Sequence, residues 1–65
     1  MNAVAINIIR SDERFTKVVD GHIEAYGRKD ALAMLNDMAN ELTDDSDNVS
    51  LAKVENQLKR IGESS

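Results

Sequence analysis

Between residues 44 and 55 the chain reads DDSDNVSLAKVE, which sets Asp44, Ser46 and Asn48 at alternate positions and Glu55 eleven residues after Asp44. Alternating oxygen donors closed by a carboxylate suit a hard divalent cation, which gathers about six to eight oxygen ligands. The stretch also has a purely structural use. Asp44, Asp45 and Asp47 stand ahead of a predicted helix, and the N-terminal end of a helix favours negative charge. A second set of carboxylates, Asp30, Asp37, Glu41 and Asp44, recurs at steps of seven, four and three, an acidic ridge on the side of a helix opposite its apolar stripe. Like charges four apart repel by a few tenths of a kcal/mol, and acids at a helix C-terminus oppose its dipole. The ridge is therefore either a solvated face or a surface that meets positive charge elsewhere. Reactive groups are scarce. His22 is the single histidine and cysteine is absent, so neither a nucleophile triad that draws on a second histidine nor a multi-histidine metal site assembles from this chain. The three glycines are isolated from one another, which rules out a phosphate-cradling glycine loop.

The stretch from Asp44 to Glu55 resembles an EF-hand loop. In that register Asp44, Ser46, Asn48 and Glu55 are the side-chain ligands, the Ser50 carbonyl contributes, and Leu51 takes the eighth, apolar place. The resemblance covers only these twelve residues and departs from the family in three ways. Val49 stands where a glycine permits the sharp turn, and Thr43, Asn40 and Asn36 stand where the incoming helix buries apolar residues. There is also no second loop to pair with.

With 65 residues the chain makes one domain, and a domain of that size buries about 60% of the surface its unfolded chain exposes. The core is thin, no disulfide or thiolate metal site supplements it, and self-association is one remaining supplement. Twelve acidic against eight basic side chains give a net charge of −4, which works against attraction to phosphate backbones. Arg10, Arg14, Lys17, Arg28 and Lys29 lie in the first half and most acids after residue 36, so the chain is polarised. No stretch approaches membrane-spanning length, and the short apolar run near Met1 lacks a basic flank, so a cytoplasmic setting is expected.

The elements that must position these groups are read from periodicity. Val4, Ile6 and Ile8 alternate with Ala5 and Asn7, which predicts a strand over residues 3–9. Asp20-Gly21 is a turn pair that would fold 15–26 into a hairpin, with Lys17 facing Glu24 and Phe15 facing Tyr26. The competing reading makes the same segment a helix with Ser11 as N-cap and places Gly21 in its interior, at about 1 kcal/mol relative to alanine. Helices follow over 29–42 and 50–61. The second has Ser50 as N-cap and carries Leu51, Val54, Leu58 and Ile61 at coiled-coil spacing, either an inward stripe or a dimer seam. Phe15 and Tyr26 beside Arg14 and Lys17 have the makings of a miniature stacking platform, but two aromatics are few and the preferred reading is a core or interface pair. A connector of about seven residues between the helices is too long for a helix-turn-helix. A strand followed by two helices resembles a ribbon-helix-helix dimer, but the hairpin in between argues against it.

The resulting expectation is an α+β domain over residues 1–62, a strand and hairpin covered by two helices, with a polar tail at 63–65. Its alternative is an all-α bundle of three helices. The function expected is a non-catalytic acidic regulator or inhibitor, without cofactor, docking a basic protein surface through Asp37, Glu41, Asp44 and Asp45. The alternatives are a calcium-binding helix-loop-helix using Asp44, Ser46, Asn48 and Glu55, and a small dimeric nucleic-acid-binding regulator.

Overall fold

The computed structural model describes residues 1–63; Ser64 and Ser65, most of the expected polar tail, lie outside the described residues. Four helices follow one another: α1 (Ala3–Arg10), α2 (Asp12–Tyr26), α3 (Arg28–Asp44) and α4 (Asn48–Glu63). The α+β expectation is thereby corrected, since no strand occurs among the described residues. The three-helix alternative is closer in kind but one helix short.

The predicted strand at 3–9 is α1. Its opening is fixed by Asn2, whose side chain accepts a hydrogen bond from the Ala5 amide at 2.9 Å, and Arg10 sits in the last turn where the helix dipole favours a cation. Ile9 is buried, and Met1 and Ile6 pack against the core beside it. The β-branched residues that suggested a strand are thus carried into a helix by tertiary burial, which outweighs their modest propensity penalty.

The predicted hairpin is α2. Ser11 caps it through a hydrogen bond from the Arg14 amide at 3.4 Å, with Asp12 and Glu13 in the first turn. Gly21 falls mid-helix, and the burial of Phe15 and Val19 exceeds its cost of about 1 kcal/mol, a fully buried side chain of that kind being worth about 1.5–3 kcal/mol. Phe15 and Tyr26 do not pair. Phe15 is in the core, whereas Tyr26 is exposed and its ring lies 4.7 Å from that of His22.

Gly27 alone joins α2 to α3. Its φ of +95° and ψ of 161° lie in a region essentially reserved for glycine, its amide closes α2 on Ile23, and its carbonyl accepts from Ala31. The α3–α4 connection is Asp45–Asp47, shorter than the seven residues expected, because α3 runs on to Asp44 and α4 starts at Asn48. It is a Schellman turn: Ser46 sits at φ +57°, its amide donates to the Thr43 carbonyl, and the Asp47 amide donates to that of Leu42.

The core consists of Ile9, Phe15, Val19, Ala31, Leu35, Leu42, Val54 and Ile61, drawn from all four helices. A Cα radius of gyration of 10.9 Å equals the roughly 11 Å of a compact chain of this length, so the helices close on one another as a single bundle. Side-chain links give the directions. Asp12 pairs with Lys53, Thr16 with Gln57 and Asp20 with Arg60, so α2 and α4 run parallel. No described helix is long and apolar enough to cross a membrane.

Candidate functional site

Helix α3 carries the acidic ridge. Ala31, Leu35 and Leu42 turn one face of α3 into the core, which leaves Asp37, Glu41 and Asp44 exposed along another, with Asp45 exposed at the helix end. The four carboxylates are not equivalent. The Met1 ammonium bridges Glu41 at 2.9 Å and Asp45 at 3.1 Å. The hydrogen bonds to Glu41, then Asp45, hold that ammonium above the ordinary range of a terminal amine. This contact resolves the conflict between acids and the C-terminal dipole of α3, because a cation is seated among them. Asp37 and Asp44 make no ion pair among the described residues.

The stretch from Asp44 to Glu55 is divided between a turn and a helix. Asp44 ends α3, Ser46 is in the left-handed turn, and Asn48 through Glu55 are helical, so Glu55 lies roughly 10 Å along α4 from Asn48. The twelve residues therefore do not wrap a loop. Among the described residues no three histidine, aspartate or glutamate side chains gather to hold a metal ion.

The cap of α4 is Asp47, not Ser50. The Asp47 carboxylate accepts from the Ser50 amide at 3.1 Å and the Ser50 hydroxyl at 2.7 Å, and its carbonyl receives the Leu51 amide. Ser50 is fully buried and its Oγ accepts a hydrogen bond from Arg10 Nε at 3.1 Å, while Arg10 also reaches Asp47 at 3.0 Å. These bonds, Ser50 first and Arg10 after it, hold the Asp47 carboxyl below the usual aspartate range. Sequence reasoning missed this junction of α1 with α4, although Asp47 and Ser50 stand at capping-box spacing.

Leu51, Val54, Leu58 and Ile61 form an inward stripe. Val54 and Ile61 are in the core and Leu51 and Leu58 pack against it, so the proposed dimer seam is occupied by the chain's own helices. His22 is half-buried, its Nε2 2.6 Å from Asp30, and links α2 to α3 beside Gly27. The other polar seam joins α2 to α4: buried Gln57 donates to Thr16 at 2.9 Å and accepts from Arg60, which reaches Asp20 at 2.8 Å. Compared with known proteins, the chain matches no family model, no curated protein and no solved structure.

Proposed function

We propose that this protein is a small non-catalytic binding module, a regulator or inhibitor working in the cytoplasm, that docks the basic surface of another protein through the carboxylates of α3. The observation that carries this reading is the exposure of Asp37, Glu41, Asp44 and Asp45 on α3 and its end, in a chain of net charge −4. Asp37 and Asp44, which make no ion pair among the described residues, offer charge at once. Glu41 and Asp45 already hold one ammonium, and a lysine or arginine of the partner would compete with it. Charges of this kind contribute association rate and specificity more than affinity.

The test uses Asp37→Lys/Asp44→Lys, which leaves the Met1 contacts intact. A protein captured from lysate by the native chain should associate about tenfold more slowly with this variant at low salt, and the difference should shrink at high salt. Equal association rates for native and variant chains would remove the ridge from the interface.

A further inference from the structure

The outer side of α2 carries a pattern that the fold does not use. Val18 is 47% exposed, and Gly21 and Ala25 are exposed beside it, with Arg14 completing steps of four, three and four along the helix. This is heptad spacing on the face turned away from Phe15 and Val19. Gly21 has no intramolecular purpose: a Cβ built there meets nothing within 4 Å, so alanine would fit and would favour the helix by about 1 kcal/mol. A glycine on an open helix face does serve one end, letting a second backbone come close.

The charges beside the stripe identify what that second backbone is. Lys17 and Glu24 are seven residues apart, opposite in sign, and share one side of the stripe. If two such helices cross antiparallel about a twofold axis, Lys17 of each copy meets Glu24 of the other; in a parallel pair the two Lys17 side chains lie on opposite flanks of the seam and no Lys17–Glu24 pair forms. Neither side chain is committed elsewhere. Lys17 makes a 3.5 Å contact with Glu13 in which both are about four-fifths exposed, a loose surface pair, and Glu24 makes no ion pair among the described residues. We infer that the outer face of α2 is a self-association surface, on which a second copy of this chain packs antiparallel with reciprocal Lys17–Glu24 pairs. One helix face per copy places this contact at the low end of specific interfaces, so the dimer is weak and concentration-dependent.

Sedimentation velocity at low salt, from about 10 μM to about 1 mM, reads the association directly. The native chain should pass from monomer to dimer, and Lys17→Glu or Glu24→Lys alone should weaken dimerisation at least about fivefold. An equimolar mixture of those two variants should recover it, since every cross-pair is then attractive. Gly21→Ala separates self-association from folding: it should raise the melting temperature of the dilute monomer while weakening the dimer. A native chain that stays monomeric throughout overturns the inference, as do variants that all dimerise like the native chain. Capture of a different protein on this face by a chain that does not self-associate overturns it equally.

Discussion

Helix α4 meets α3 on one side and α2 on another, and the two interfaces are built from different chemistry. Against α3 it contributes to an apolar core in which Leu35, Leu42, Val54 and Ile61 are buried, in an antiparallel pairing closed by the short turn at one end and by the Arg28 hydrogen bond to the Ile61 carbonyl at the other. Against α2 it runs parallel, and the links are polar: Asp12–Lys53, Thr16–Gln57 and Asp20–Arg60. Apolar packing is non-directional and supplies most of the stabilisation. Hydrogen bonds and ion pairs at matched steps add little net energy but fix which turn of one helix lies against which turn of the other. The first interface holds the bundle together, and the second sets its register.

Three measurements break or sharpen this contrast. The largest effect belongs to the apolar side: Leu35→Ala should cost about 2–5 kcal/mol, which in a domain of this size leaves a substantial unfolded fraction in urea-free buffer. Denaturant titration followed by circular dichroism reads it directly. Gln57 comes next. Gln57→Ala leaves the half-buried Thr16 hydroxyl and the Arg60 guanidinium without that partner and should cost about 1–2 kcal/mol, whereas Thr16→Val/Gln57→Met removes the Thr16–Gln57 bond at both ends, leaves Arg60 on Asp20, and should come within about 1 kcal/mol of native stability. A double variant as unstable as the alanine single would mean that the seam supplies stability as well as register. Acid titration gives the smallest effect and concerns the Arg10–Ser50–Asp47 junction. Because the Asp47 carboxyl is held below its unfolded value, its contribution is present above the ordinary aspartate range and fades as pH falls through the lower folded value. The native melting temperature should therefore drop below about pH 4 more than that of Asp47→Asn, whose amide keeps an acceptor for the cap but does not titrate.

The sequence disclosed the second half of the molecule better than the first. Leu35, Met38 and Leu42 among strong helix formers, and Leu51, Val54, Leu58 and Ile61 at steps of three and four, marked α3 and α4, and their apolar stripes do face inward. Only their ends were read short, by one residue or two. In the first half two local signals pointed to strands. Val4, Ile6 and Ile8 alternate, yet Ala5 and Ile9 fill the gaps, so the segment is apolar at nearly every position and its period does not discriminate. Asn2 was the informative residue, as an N-cap. At Asp20-Gly21 the turn propensity was genuine but local, while Phe15, Val19 and Ile23 recur at four-residue steps and decided the outcome through burial. The ridge acids were legible as a group. That Glu41 and Asp45 hold the Met1 ammonium was not, because those contacts span forty residues of sequence or more and exist only once α1 has docked.

Ser11 and Gly27 each carry the chain from one helix directly into the next, without slack. A residue added at either joint either enters the adjoining helix, turning it by about 100° against its neighbours, or disrupts the Ser11 cap on Arg14 or the Gly27 hydrogen bonds with Ile23 and Ala31. Changes in chain length are thus tolerated poorly at these two joints, however freely individual surface positions vary.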